Sequence, residues 1–156
     1  MKNSTKIERT SDRELVVTRT VNAPARIVFE AWSKAELFQK WWVPKSAGLN
    51  LLSCAMDVRT GGSYRLVFKV GDQEMAFFGT YVEVTKDLRI VWTNDENGVE
   101  NRTISTVTFE EKDGKTLVVM TDLHPSKEAL DEAIANGSTS GNEETFDQLD
   151  AFVSSR

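Results

Sequence analysis

A series of strand-like segments joined by very short connections constrains the fold of this chain more than any other feature. Apolar residues alternate with other residues, or are concentrated, over residues 49–58, 63–70, 74–84, 88–93, 102–110 and 116–123. This pattern predicts six strands. The pairs Gly71-Asp72, Asn97-Gly98 and Asp113-Gly114 lie between them and suit the tight turns of hairpins. Such short connections predict antiparallel neighbours.

One more strand and two short helices are predicted before this series. Residues 14–21 are rich in β-branched side chains, which favours a strand. The first helix follows Asn22-Ala23-Pro24, with Asn22 as a candidate N-cap, and the second covers residues 35–41. The sequence therefore predicts seven antiparallel strands, with two helices between the first strand and the second.

The end of the chain predicts two further helices. The first covers residues 126–135, with Ser126 as its N-cap and Asn136-Gly137-Ser138 as its break. From Gly141 onward, apolar or weakly polar residues recur at helical spacing. They are Thr145, Phe146, Leu149, Phe152 and Val153. We expect this long helix to pack on the sheet, which gives an α+β domain.

Length and charge limit the functions open to the chain. With 156 residues, residues 14–156 suit a single domain, preceded by a flexible N-terminal segment over residues 1–13. Residues 126–156 carry two basic and seven acidic residues, a balance equal to the net charge of -5, and we interpret them as a solvated helix face. No basic stripe or long apolar run occurs, so we expect no nucleic-acid partner, no membrane insertion and a cytoplasmic location.

Several motifs occur in the order in which they are found in one known family. They are LVVTRTVNAP at 15–24, WWVPK at 41–45, DVRTGGSYR at 57–65, GTYVEV at 79–84, LRIVWT at 88–93 and TVTF at 106–109. Over residues 14–156 the chain resembles bacterial proteins similar to the C-terminal domain of the activator of Hsp90 ATPase. The resemblance implies the START-like, polyketide cyclase or Bet v 1-like superfamily. It also implies a helix-grip fold, whose seven-stranded antiparallel sheet wraps around a long C-terminal helix.

The resemblance implies binding of a small hydrophobic molecule, such as a lipid, a polyketide or an aromatic metabolite, between sheet and helix, and a possible homodimer. Large apolar side chains in the predicted strands and last helix suit such a site. The candidate ligand-binding residues are Trp42, Tyr64, Leu66, Phe68, Phe78, Trp92, Met120, Phe146 and Leu149. Alternate positions of a strand place Tyr64, Leu66 and Phe68 on one face. In residues 74–84 both alternating sets of side chains are apolar, so the sequence does not decide which set faces inward.

Arg19 and Arg65 are the candidates for orienting a ligand carboxylate or carbonyl, because a guanidinium offers a forked pair of donors. Each could instead be a surface arginine or half of an ion pair. No cofactor is predicted, because the chain lacks a glycine-rich fingerprint followed by a helix. The one His and one Cys, His124 and Cys54, are too few to form a zinc site on their own.

Two other functions stay open. A cyclase-like or hydrolytic enzyme could use carboxylates in the same cavity, with Asp57, Glu83 and Asp122 as candidates, although Asp57 and Glu83 could equally pair with nearby arginines. We assign no catalytic residue, because Cys54 and His124 are each better explained structurally. A chaperone-interacting protein would bind its partner through a surface patch near Trp41 or on the acidic last helix.

Overall fold

The computed structural model describes residues 4–96, 98–135 and 141–155, and one antiparallel sheet dominates it. Its strands are β1 Lys6–Arg9, β2 Glu14–Val21, β3 Asn50–Met56, β4 Ser63–Val70, β5 Gln73–Thr85, β6 Arg89–Asn94, β7 Thr103–Lys112 and β8 Lys115–Leu123. They lie in the order β1-β2-β8-β7-β6-β5-β4-β3. The turn between β7 and β8 has positive φ at Asp113 and Gly114, as the sequence predicted for a tight hairpin.

The described sheet has eight strands, one more than the predicted seven. The additional strand is β1, which pairs with β2 from Lys6 opposite Thr18 to Arg9 opposite Leu15. It lies in the N-terminal segment, where the sequence predicted no element. All four of its residues are exposed, so the segment carries no alternation of buried and exposed positions that could have revealed it.

Within the described residues, four helices accompany the sheet: α1 Ala25–Ser33, α2 Ala35–Phe38, α3 Lys127–Ala135 and α4 Asn142–Ser154. Short 3-10 turns cover Lys45–Ala47 and Val99–Asn101. The structure differs from the prediction at two helix ends. Helix α2 stops at Phe38, short of the predicted end at residue 41, and Pro24 rather than Asn22 occupies the N-cap of α1.

The start of α3 agrees with the sequence. The backbone N–H of Ala129 donates to Ser126 Oγ over 3.0 Å, the bond expected of an N-cap serine. The predicted break at residues 136–138 lies outside the described residues.

The helices cover the inner face of the sheet unevenly. Helix α1 contacts β7 and β8, α4 contacts β2 and α1, and α2 contacts β3. Where α1 and α4 meet the sheet the interior is closely filled, with Val107, Val118, Phe146 and Leu149 each 0% exposed. The α+β helix-grip architecture is thereby confirmed, with the space under β4, β5 and β6 less fully covered.

A buried ion cluster fixes α4 to β2. Arg19, 2% exposed, donates from Nη1 to Asp147 Oδ1 over 2.5 Å and from Nη2 to Asp150 Oδ2 over 2.9 Å. Asp150 Oδ1 also accepts the backbone N–H of Asn22 at 3.0 Å. The interpretation of the acidic residues as a solvated face is therefore wrong for Asp150, which is 6% exposed, because α4 turns this carboxylate toward the guanidinium.

Candidate functional site

A pocket of about 270 Å³ lies under the less covered part of the sheet. Its walls come from the α1–α2 region, the segment that follows α2, and strands β3 to β6. The lining residues are Trp32, Phe38, Trp42, Val43, Pro44, Leu49, Met56, Tyr64, Leu66, Phe68, Phe77, Tyr81, Ile90, Trp92 and Asn94. Leu49, 36% exposed, marks where the pocket meets solvent. The wall is almost entirely apolar and rich in aromatic rings.

Strand pairing decides which side chains reach this pocket. Tyr64, Leu66 and Phe68 alternate along β4 and point to the inner face, as predicted. The register places Leu66 opposite Phe77, so Phe77 shares the inner face and its neighbour Phe78 points to the other side. An irregularity in the β5–β6 pairing follows Tyr81, which is opposite Trp92 in the pocket wall.

One end of the pocket is polar. The Tyr64 hydroxyl donates to the Thr93 carbonyl over 2.7 Å and lies 3.1 Å from Asn94 Oδ1. Asn94 Nδ2 donates to the Thr103 carbonyl and to Ser105 Oγ, which in turn donates to Asp122 Oδ1 over 2.7 Å. Both amide hydrogens of Asn94 are thus engaged, and its carbonyl oxygen is the amide atom next to the Tyr64 hydroxyl.

Burial dominates the electrostatics of this polar end. It raises the pKa of Tyr64, helped by the negative charges of Glu96 and Asp95, so the phenol stays protonated. Burial also raises the pKa of Glu96 and of Asp122, the latter against the opposing effect of the Ser105 hydrogen bond. The environment of this end therefore disfavours additional negative charge.

One residue of the wall also carries a buried donor without an acceptor. Trp32 is 3% exposed and lines the wall, and its indole Nε1 has no hydrogen-bond partner in the described structure. Its neighbours are rings: the centroid of Trp41 lies 4.7 Å away and that of Trp92 lies 5.8 Å away. By contrast, Trp41 Nε1 donates to the Ala31 carbonyl over 2.9 Å.

Five of the candidate ligand-binding residues come together in this wall: Trp42, Tyr64, Leu66, Phe68 and Trp92. Met120, Phe146 and Leu149 are buried in the packed core, and none of the described lining comes from α4. The pocket is thus not directly under the last helix, because Phe146 and Leu149 pack there with no exposed surface.

The remaining candidates lie away from the pocket. Phe78, 41% exposed, and Arg65 are opposite each other in the β4–β5 ladder and border a separate shallow depression. The Arg19 guanidinium is engaged by Asp147 and Asp150.

Sequence reasoning did not name several residues that line the pocket, among them Trp32, Phe38, Tyr81 and Asn94. Trp32 belongs to a helical apolar stripe, a pattern that indicates packing and does not point to a ligand site. Asn94 ends a strand, where a polar residue usually indicates a turn.

The candidates for the alternative functions are also placed by the structure. Asp57 pairs with Arg59 at 2.9 Å and Glu83 with Arg89 at 3.6 Å, all on exposed side chains. Asp122 bonds to Ser105 behind the pocket wall. Trp41 is 0% exposed, so the suggestion that it offers a docking surface is wrong; its ring fills the core instead.

The two single reactive residues lie in unremarkable surroundings. Cys54 is half-buried on β3, where burial raises the pKa of its thiol. His124 follows β8, and burial, with a smaller effect of Arg9, lowers its pKa.

Within residues 4–96, 98–135 and 141–155, no group of three His, Cys, Asp or Glu side chains is arranged to hold a metal ion. No helix in this described part is long and apolar enough to cross a membrane.

Solved structures of bacterial proteins share this fold. A Rhodobacter sphaeroides protein matches with a TM-score of 0.86 at 19% identity, covering 97% of this chain and 98% of that one. A Mycobacterium smegmatis protein, Ms6760, matches with a TM-score of 0.81 at 21% identity, covering 95% of each chain. A Staphylococcus epidermidis protein has a TM-score of 0.79 at 26% identity, covering 96% of this chain and 94% of that one.

A comparison with curated proteins gives no match. The family described as "Activator of Hsp90 ATPase homolog 1-like protein" matches residues 22–154, which include the pocket wall and all four helices. The resemblance carried by the sequence motifs is therefore confirmed, and the chain belongs to this family.

Proposed function

We propose that the protein binds a small apolar molecule in the pocket under β4, β5 and β6. The observation that carries the proposal is the pocket itself: about 270 Å³ walled by rings and aliphatic side chains, with a polar group at one end. Natural small-molecule sites share this combination of an apolar wall and few polar atoms. The fold supports the same proposal, because START-like domains commonly bind ligands.

The size of the pocket limits the ligand. An apolar cavity of about 150 Å³ is large enough to bind benzene. A pocket of about 270 Å³ therefore suits a molecule of one or two rings and is too small for a lipid with two acyl chains. Of the ligand classes implied by the resemblance, aromatic metabolites fit this volume best.

Titration of the ¹⁵N-labelled protein with toluene tests the proposal by NMR. We expect saturable shifts that are concentrated in the pocket, with the indole resonances of Trp32, Trp42 and Trp92 among them. Toluene is suitable because it supplies only an apolar ring.

A pair of variants in one strand provides the control. Leu66→Trp directs an indole into the pocket and should abolish the toluene shifts, whereas Lys69→Trp adds the same ring to an exposed position of β4 and should leave them intact. Shifts that do not saturate, or that survive in Leu66→Trp, would refute the proposal.

A further inference from the structure

The Tyr81 hydroxyl is a free polar group of the pocket wall, and it indicates what the ligand carries besides its apolar body. We infer that the ligand is an uncharged ring compound with a hydrogen-bond acceptor, such as a carbonyl oxygen, that accepts the Tyr81 Oη hydrogen. This inference rests on the proposed function, because it names the chemical class of molecule that the same pocket takes.

The first step is the direction of the Tyr81 side chain. Tyr81 and Phe77 belong to the same alternating set of β5, so both stand on the inner face, where both line the pocket. Trp92, which is opposite Tyr81 in the β5–β6 ladder, lines the pocket as well. The hydroxyl is the tip of the ring and the atom farthest from the strand, so it extends into the space beneath the sheet. Tyr81 does not border the shallow depression near Arg65 and Phe78.

The second step concerns the state of that hydroxyl. Tyr81 is 6% exposed, and its hydroxyl has no hydrogen-bond partner in the part of the chain that the structure describes. Trp32 Nε1 is also unpaired but is sealed off by its surroundings, whereas Tyr81 Oη keeps accessible surface. Because buried tyrosine hydroxyls usually find a partner, a reachable one without a partner calls for an acceptor from outside the chain.

The neighbouring tyrosine shows the contrast. The rings of Tyr64 and Tyr81 have centroids 5.6 Å apart, but the Tyr64 hydroxyl donates to the Thr93 carbonyl. Both amide hydrogens of Asn94 are also engaged. A water molecule beside Tyr81 would need about two to four polar partners, and these two polar side chains of the wall already have theirs. An apolar molecule with one acceptor needs only the single bond that Tyr81 offers.

The third step excludes an anion as that acceptor. Burial raises the pKa of Tyr81, with smaller effects of Cys54 and Asp57, so the phenol keeps the proton that it donates. A carboxylate in the pocket would meet the same unfavourable environment, and the lining described by the structure contains no Lys, Arg or His to compensate its charge. Arg19, the cation that sequence reasoning offered to a ligand, is taken by its ion cluster with α4.

Three probes of nearly equal shape test the inference. Acetophenone presents a carbonyl oxygen, α-methylstyrene replaces that oxygen with a CH₂ group, and benzoate replaces the acetyl group with a carboxylate. NMR titration of the ¹⁵N-labelled protein gives the dissociation constant of each probe. We expect benzoate to bind at least about tenfold more weakly than acetophenone, because its charge would be buried without a cation.

A matched pair of tyrosine variants assigns the bond. Tyr81→Phe deletes only the hydroxyl, and we expect it to weaken acetophenone relative to α-methylstyrene by about two- to tenfold, the effect of one net hydrogen bond. Using the ratio of the two dissociation constants cancels the different hydration of the probes. Tyr64→Phe makes the same chemical change to a hydroxyl that Thr93 already engages, so it should affect both probes alike.

An infrared measurement needs no variant. A hydrogen bond from Tyr81 weakens the C=O bond, so we expect the carbonyl stretch of acetophenone bound to the wild-type protein to lie at a lower frequency than in an apolar solvent. A stretch at the apolar-solvent frequency would overturn the inference even if Tyr81→Phe does not fold.

The outcomes distinguish this inference from the proposed function. If neither uncharged probe binds, the proposed function fails and the inference fails with it. If both uncharged probes bind but Tyr81→Phe leaves the ratio of their dissociation constants unchanged, or benzoate binds as well as acetophenone, only the inference is overturned.

Discussion

At the scale of single residues, Gly79 shows how one position controls the polar end of the pocket. A Cβ atom at this position would lie 1.9 Å from the Thr93 carbonyl oxygen. That carbonyl accepts the Tyr64 hydroxyl, and Tyr64 is opposite Gly79 in the β4–β5 ladder. Glycine within a strand often marks such a close approach of another backbone.

We therefore predict that Gly79→Ala lowers the free energy of unfolding by about 1–3 kcal/mol, the usual effect of overpacking. Tyr64→Phe should lose about 1 kcal/mol, because it deletes one hydrogen bond but keeps the ring. Both changes act through the Thr93 carbonyl, so the double variant should lose less than the sum of the two. Urea denaturation of the four proteins measures this coupling, and additive losses would contradict it.

The same residues show how far the sequence could predict the site. The alternation of Tyr64, Leu66 and Phe68 was sufficient to predict the inner face of β4, since only one phase of that strand carries large rings. In β5 both alternating sets of side chains are apolar, so the sequence favours Phe78 as a ligand-binding residue although its side chain points outward. Only the register with β4 distinguishes Phe77 from Phe78, and register depends on the fold rather than on local pattern.

At the scale of elements, α4 shows a second reason why prediction was incomplete. Its apolar stripe was predicted correctly, with Phe146, Leu149 and Val153 all at most 1% exposed. Its charged side was not, because Arg19 lies more than a hundred residues earlier in the chain. Nothing in a local pattern indicates that Asp150 would face a buried guanidinium.

The ion cluster of Arg19, Asp147 and Asp150 leads to a prediction about the stability of the protein. Arg19→Met should lower the free energy of unfolding by about 3–5 kcal/mol, because it leaves the Asp150 carboxylate buried without its cation. Arg59→Met removes an arginine of the same kind from an ion pair whose side chains are 73% and 54% exposed, and should change stability by no more than about 1 kcal/mol. Urea denaturation at pH 7 compares the two, and equal losses would show that α4 does not depend on the cluster.

At the scale of the whole molecule, the pocket is interior volume that the protein leaves unfilled. Helices α1 and α4 fill the inner face beside β2, β7 and β8, where Val118 is 0% exposed. A fold selected only for stability would fill the remaining space with larger side chains, since cavity-filling substitutions commonly stabilise proteins. The unfilled volume is therefore a property of the entire layer arrangement.

We predict that Leu66→Trp, which fills the pocket, raises the free energy of unfolding by about 0.5–2 kcal/mol while it removes toluene binding. Val118→Trp introduces the same ring into the filled part of the interior and should lower stability by about 1–3 kcal/mol. Thermal and urea denaturation of both variants provide the measurement. If the two substitutions destabilise the protein equally, the space under β4, β5 and β6 is not available to a ring, and the volume argument for a one- or two-ring ligand fails with it.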